Sequence, residues 1–403
     1  MLGRPKRARG EQGLFAFALP CYRMRPRMKR YPPTTFMTGA TGLLGHFILR
    51  DLLQRGRRIV AMLRPPLPDS KQRLSGLMRQ LHFDLEHYVD CGQLVLVAGC
   101  LPHELPACNW GRTDDVLSCA ASLQLFANGN EEPHKTNVVG TEKLLAWADH
   151  HDVRRFHAVS TAYVCGSLSK PVGEVIHHPK PIFQTEYEHS KWIAETRLTD
   201  WGEQDGRVMT ISRPSFLVGD SETGYTSQFG GFYQLARMVS ILKEQYSEGH
   251  NGHPTHVPLR IPGRPDDPQN FVPVDFASRV ITEIVLNESL HGRIYHLTDP
   301  TPPTNNHVKH CLEDYFNIYG GHFVEPSRTN GDHTPAEALL WEAYDVITPR
   351  VTHNPVFQQD NTREVMDVFG IQFPALDRDR FFTLLDFAKA RRWGLRADRS
   401  LCQ

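Results

Sequence analysis

A doubly wound α/β fold, with helices on both faces of a parallel sheet, is predicted for this chain by three observations. A glycine-rich run, Thr38-Gly39-Ala40-Thr41-Gly42-Leu43-Leu44-Gly45, follows an apolar strand end at Phe36-Met37 and leads into helical spacing at Phe47-Ile48-Leu49 and Leu52-Leu53. Short apolar runs then alternate with helix-length stretches up to about residue 213, the order that gives a parallel sheet covered on both sides. The residues with chemistry in them fall just after those runs, where ligands of such sheets bind.

Taken in order, the glycine run comes first. Its first glycine permits a sharp strand-to-helix turn, its second lets the backbone approach a pyrophosphate, and its third packs helix against sheet. The helix N-terminus then points free N–H groups at the anion. Thr38, Gly39, Thr41, Gly42, Leu43, Leu44 and Gly45 are therefore cofactor-binding candidates. Arg58–Leu63 reads as the second strand, followed by a polar helix between about Ser70 and Tyr88. Gln93–Ala98 and Asp115–Cys119 are the third and fourth strands. Residues 135–149 have helical spacing, Arg155–Ser160 is a fifth strand, Tyr187–Leu198 a helix and Val208–Ser212 a sixth strand. Residues 34–213 are thus expected to form a Rossmann-type, dinucleotide-binding domain, read below as specific for NADP. Beyond Arg213-Pro214, Gly, His, Pro and polar residues crowd positions 222–270, and helical patterns broken by Pro and Asn fill 300–403. A smaller, interleaved substrate lobe is expected over 214–403, with 270–300 (Phe271–Asp275 and Ile294–Leu297) returning to the main sheet.

With 403 residues the chain can bury a full core. Its formal charge of +0 hides an asymmetry: residues 1–30 hold nine Lys/Arg and one acid, leaving 36 basic and 44 acidic residues elsewhere. The mildly acidic body gives no reason to expect nucleic acid as a partner. Residues 1–33 read as a basic, disordered arm whose apolar stretch, Leu14 to Leu19, is too short for a membrane span. A soluble, cytoplasmic body is expected, the arm being compatible with organellar targeting. Eight cysteines occur without a CxxC pair. Cys100-x-x-His103 with Cys108, and His307-x-x-His310-Cys311, lack a second ligand pair, so no metal site is read.

The second strand ends Met62-Leu63-Arg64-Pro65, with Arg64 where an acid would bind the ribose hydroxyl of NAD. An Arg there accommodates the 2′-phosphate, which favours NADPH over NADH. Tyr187-Glu188-His189-Ser190-Lys191 sets a phenol and an ammonium four apart on one helix face. The cation lowers the phenol's ordinary value near ~10 and lets it hand a proton to oxygen as hydride arrives at carbon. Such a pair is common by chance and gains weight from Ser160-Thr161-Ala162-Tyr163-Val164 after the fifth strand. There Thr161, with Ser160 as second choice, can stabilise charge developing on the same oxygen. Ala120, Ala121 and Ser122 supply small residues where a cofactor crosses the backbone closely. Asn137-Val138-Val139-Gly140-Thr141 is expected to tie its helix to the sheet.

The order TGATGLLG, SCAAS, NVVGT, STAYV, YEHSK, RPSFLVG resembles the extended short-chain dehydrogenase/reductases. The resemblance implies Thr161, Tyr187 and Lys191 as catalytic residues, Lys191 also holding the nicotinamide ribose. Pro214, Ser215, Phe216 and Leu217 would lie beside the nicotinamide. Within that superfamily, Leu63-Arg64, Tyr187–Lys191 with Ala194-Glu195, Arg213–Ser221, Pro262-Gly263 and Asn270–Asp275 are similar to the thioester reductase and fatty acyl-CoA reductase branch. The tail, including Phe357 and Asp360-Asn361, is only faintly similar, and Cys100 stands where the branch usually has Asp. The resemblance implies an NADPH-dependent reductase of an acyl thioester on coenzyme A or a carrier protein, giving aldehyde or alcohol. No fused carrier or adenylation segment is read, so the acyl partner is expected in trans; the oligomeric state is not fixed. The alternatives are a nucleotide-sugar epimerase or dehydratase, a hydroxysteroid-type dehydrogenase, and an NADP-sensing protein without turnover.

Overall fold

The computed structural model describes residues 32–395, except 169–170, 248–252, 326–332 and 340–354; most of the basic arm lies outside the described residues. The strands are β1 (Thr34–Thr38), β2 (Arg58–Leu63), β3 (Leu94–Ala98), β4 (Asp115–Ser118), β5 (Arg155–Val159), β6 (Val208–Pro214), β7 (Phe216–Val218), β8 (Thr255–Pro262), β9 (Phe271–Pro273), β10 (Ile294–Leu297) and β11 (Ile318–Val324). The helices are α1 (Leu43–Gln54), α2 (Leu67–Gln80), α3 (Leu85–Asp90), α4 (Gly140–His150), α5 (Glu186–Gly202), α6 (Phe232–Tyr246), α7 (Val274–Leu286) and α8 (Asn305–Phe316), with later helices at Asp360–Phe369 and Arg378–Ala390.

Seven strands pair in the order β10-β6-β5-β4-β1-β2-β3, all parallel. Thr38 of β1 stands opposite Met62 on one side and Ser118 on the other, so the strand order reverses between β1 and β4. A crevice for a ligand opens at that reversal, beyond the carboxyl ends. One face is covered by α1 and α7, which share a core of Leu44, Phe47, Ile48, Leu52, Val280 and Ile284. The other is covered by α4 and α5, where Trp147 stacks on Phe36 at 4.3 Å between centroids. Side chains of this size, fully withdrawn from water, contribute about 1.5–3 kcal/mol each, so the sheet is a rigid mount for the loops at its crest.

Four expectations need adjustment. The helix expected over Ser70–Tyr88 is two helices, α2 and α3. His82 turns between them at φ +52°, and Asp84 restarts the helix by accepting N–H groups of Glu86 and His87 at 3.2 and 3.4 Å. The stretch 135–149 opens with one π-helical turn, Lys135–Val139, before α4 begins. Ile294–Leu297 joins the main sheet beside β6 as expected, but Phe271–Pro273 pairs with Phe216–Val218 in a sheet of its own. The faintly similar tail also comes back to this body: Asn361 Nδ2 donates to the Ile294 carbonyl at 2.9 Å. What stands apart is a group formed by α6, β8, α8, β11 and the helix Arg378–Ala390, packed around Phe232, Tyr233, Leu312, Phe381 and Leu385. It is the C-terminal lobe. Among the described residues no helix is long and apolar enough to cross a membrane.

Candidate active site

The glycine turn is defined by close approach. Thr38 Oγ1 accepts the Ala120 N–H at 3.2 Å, laying the segment after β4 across the turn. Gly39 sits at φ +77°, and a Cβ there would lie 2.5 Å from Ala120 N. A Cβ on Gly45 would lie 2.0 Å from the Gly39 carbonyl oxygen. Gly42 differs: among the described residues, the one atom within 4 Å of a Cβ there is Gly39 O, at 3.2 Å. Gly42 also caps α1 with no side-chain partner, so the first-turn N–H groups are free for an anion. Leu43 and Leu44 bury their side chains and offer only backbone. The tight turn around Gly42, where a Cβ would crowd the Gly39 carbonyl oxygen, and the uncapped amides fit the pyrophosphate of a dinucleotide.

His46 escaped the sequence reading, although it directly follows the third glycine on the buried helix face. It is fully buried, and its Nδ1–H donates to the Gly42 carbonyl at 2.6 Å, pinning the loop from below. Burial holds its pKa down at about 4. Arg64, just past β2, is exposed, and no described carboxylate pairs with it; its carbonyl accepts the Ser70 hydroxyl at 2.6 Å. Cys100, in the place of the usual Asp, exchanges backbone hydrogen bonds with Glu104, both at 2.7 Å.

Asn137, set inward by the π-helical turn, joins the segment after β4 to α5. Its Oδ1 accepts the Ser122 N–H at 2.8 Å, and its Nδ2 donates to Ser122 O at 3.0 Å and Ser190 Oγ at 2.9 Å. Ser190 Oγ in turn donates to the Tyr187 carbonyl at 2.8 Å, and the Tyr187 N–H donates to Leu125 O at 3.3 Å. Helix α5 starts at Thr185, whose Oγ1 accepts the Glu188 N–H at 3.3 Å. Half-buried Tyr187 lies in its first turn, and buried Lys191 one turn later.

Lys191 Nζ donates to the Val159 carbonyl at 2.8 Å. That bond brings the α5 face carrying Tyr187 to the carboxyl end of β5, two residues from Thr161. Thr161 Oγ1 accepts the Tyr163 N–H at 3.3 Å, which caps the turn and leaves its O–H to donate elsewhere. Ser160 N–H donates to Ser212 O at 2.8 Å, and among the described residues its buried Oγ has no hydrogen-bond partner. Burial lowers the Lys191 pKa, with Glu195 and Cys119 pushing it back up. Burial lifts the neighbouring Cys119 thiol to about 12, against the pull of Lys191.

One turn beyond Lys191, Glu195 takes a two-pronged hydrogen bond from fully buried Arg213, at 2.9 and 2.6 Å. Arg213 Nη1 also donates to Val175 O at 3.0 Å and faces His177 Nε2 at 3.3 Å and His296 Nε2 at 3.2 Å. His296 Nδ1 lies 2.9 Å from the Gln358 carbonyl and so carries the proton. The Glu174 carboxylate accepts N–H groups from His296 at 2.8 Å and Asn361 at 2.6 Å. This cluster anchors α5 from behind. Its signals in the sequence, Ala194-Glu195 and Arg213-Pro214, were visible as motifs without a role.

Of the segment expected beside the nicotinamide, Pro214 ends β6. Ser215 Oγ donates to Asn270 Oδ1 at 2.6 Å. Phe216 turns into the C-terminal lobe, and Leu217 packs against the core beneath α1.

A sequence profile of the NAD-binding family described as "Male sterility protein" matches residues 37–281. The aldehyde reductase lnaA of Aspergillus flavus is 24% identical over 391 residues, covering 85% of this chain and 35% of that protein. The terminal R domain from the myxalamid PKS-NRPS biosynthetic pathway has the same fold, with a TM-score of 0.71, 21% identity, and coverage of 90% of this chain and 92% of that one. A thiolation-reductase di-domain from an archaeal non-ribosomal peptide synthetase aligns with a TM-score of 0.65 and 17% identity, over 90% of this chain and 91% of that one. The chain spans about a third or less of the length of curated relatives it matches, 36, 5 and 35% for three of them.

Proposed function

The chain belongs to the male sterility protein family, in the thioester reductase branch of the extended short-chain dehydrogenase/reductases, and we propose that it reduces an acyl thioester, borne by a carrier protein or coenzyme A, to an aldehyde or alcohol with NADPH. The observation that carries this reading is the bond from Lys191 Nζ to Val159 O at 2.8 Å, because it holds the Tyr187 face of α5 against the strand end bearing Thr161. The likeness to an aldehyde reductase and to a thiolation-reductase di-domain supports a carrier-bound acyl group as substrate and an aldehyde as product.

A bound nicotinamide supplies the hydride. The chain's own residues do the rest. The Thr161 and Tyr187 hydroxyls hold the thioester oxygen and take up the charge that develops on it. Tyr187 delivers the proton, and the Lys191 ammonium favours the phenolate left behind. Collapse of the reduced carbonyl releases thiol and aldehyde. Arg64 grips the 2′-phosphate, since its exposed guanidinium, without a described carboxylate partner, can pair with one.

The test is loss of NADPH absorbance with an acyl-CoA, with the same acyl group on a carrier protein, with a simple ketone, and with no acceptor. Oxidation is expected with the thioesters. Turnover of the ketone alone would make this a hydroxy dehydrogenase, and NADPH binding without any turnover would make it a sensor.

A further inference from the structure

An apolar pocket, partly open at its rim, lies in the C-terminal lobe, between α6, α8 and the β8–β11 pair, with a volume of about 140 Å³. Its walls include Leu235, Met238 and Leu242 from α6, Val257 and Leu259 from β8, and Val308 from α8. The polar side chains that reach it are spent on other partners. Gln269 donates to Asn305 Oδ1 at 2.6 Å, Asn305 donates to Arg264 O at 2.8 Å, and Lys309 pairs with Glu313 at 2.5 Å. Tyr319 adds a phenol to the lining, and the rest of the wall is apolar.

A short stretch of chain links this space to the reacting groups. Ser160 N–H is bonded to Ser212 O, and Phe216, which lines the cavity, is four residues further on. Four extended residues reach at most about 14 Å.

We infer that this cavity receives the apolar end of the acyl group, and that the group is compact: one aromatic ring or a short branched chain, not a long fatty chain. The inference rests on the thioester reductase reading. The size decides the class. An apolar cavity of about 150 Å³ takes a molecule the size of benzene, whereas sites for larger ligands run to about 300–1,000 Å³.

The test compares kcat/KM with NADPH for N-acetylcysteamine thioesters of 3-phenylpropanoic, acetic and hexadecanoic acids. The phenylpropanoyl thioester should exceed both others by about tenfold or more. Leu235→Trp fills the cavity from its half-exposed rim and should cut the phenylpropanoyl-to-acetyl ratio about tenfold; Val308→Ile, adding one methyl, should cut it about threefold should the larger change fail to fold. Preference for hexadecanoyl, or a ratio that neither variant moves, overturns the inference. A second readout needs no turnover: toluene should raise the melting temperature of the native chain and not that of the filled variant. Thioester turnover without that toluene response removes the cavity proposal and leaves the reductase. A toluene response without turnover of any thioester removes the reductase and leaves an apolar-ligand site.

Discussion

At the glycine turn a Cβ on Gly45 would sit 2.0 Å from a carbonyl oxygen, whereas in the C-terminal lobe a cavity of about 140 Å³ stands open among fourteen apolar side chains. The first region is built by backbone meeting backbone, so single residue types are dictated by single contacts. The second is built by side chains that share one volume, so many combinations would serve. Close contact of the first kind recognises something invariant, such as a pyrophosphate. Space of the second kind can be reshaped for a different acyl group while the crest of the sheet stays as it is.

The comparison can be broken at several points. The largest effect belongs to Tyr187→Phe, which should lower kcat by about 10²–10⁴-fold while the NADPH dissociation constant, read by fluorescence titration, stays within about twofold. Retained turnover would take the proton-donor role from Tyr187. Phe381, buried among Phe232 and Phe271 in the lobe, comes next. Phe381→Ala should cost about 3–5 kcal/mol of stability in denaturant unfolding and leave NADPH affinity unchanged; a parallel loss of affinity would show the two regions to be one cooperative unit. Arg64→Ala should weaken NADPH by about 10–100-fold and NADH little, since a lost charge-assisted hydrogen bond is worth about 1.5–3 kcal/mol. Equal losses would remove the phosphate contact.

The last effect is a slope. Burial holds His46 and His177 at about 4 and His296 at about 3, below the ordinary 6.5. Between those limits the unfolded chain binds protons that the folded chain refuses, so stability rises with pH there. Full stability is expected above about 6.5, falling as the medium is acidified by about 1.4 kcal/mol per pH unit for each histidine. Urea midpoints that stay flat from pH 7 to 5 would mean these rings are protonated in the fold.

The same contrast explains what could be read from the sequence. Gly39, Gly42 and Gly45, the strand ends, and the Tyr187–Lys191 spacing were legible because each follows from local geometry. Asn137 was legible as a tie, though its reach to Ser190 needed the extra π-helical residue. His46 was not, because a histidine on a buried helix face looks the same whether it packs or pins a loop. Phe271–Pro273 was placed in the wrong sheet because a three-residue apolar strand does not announce its partner. The lobe cavity was invisible, since its lining comes from six elements spread between Phe216 and Phe323. Arg213 showed as part of a motif, and only the fold reveals that it holds Glu195 behind Lys191.

The acid at position 174 draws hydrogen bonds from Asn361 and Thr362, the first 187 residues further along. A nascent polypeptide released between residues 324 and 360 would therefore own every group proposed to touch cofactor or substrate and still lack this part of the brace behind them. Premature stop codons in that interval should consequently be as damaging as changes in the crevice itself, despite sparing all of its chemistry.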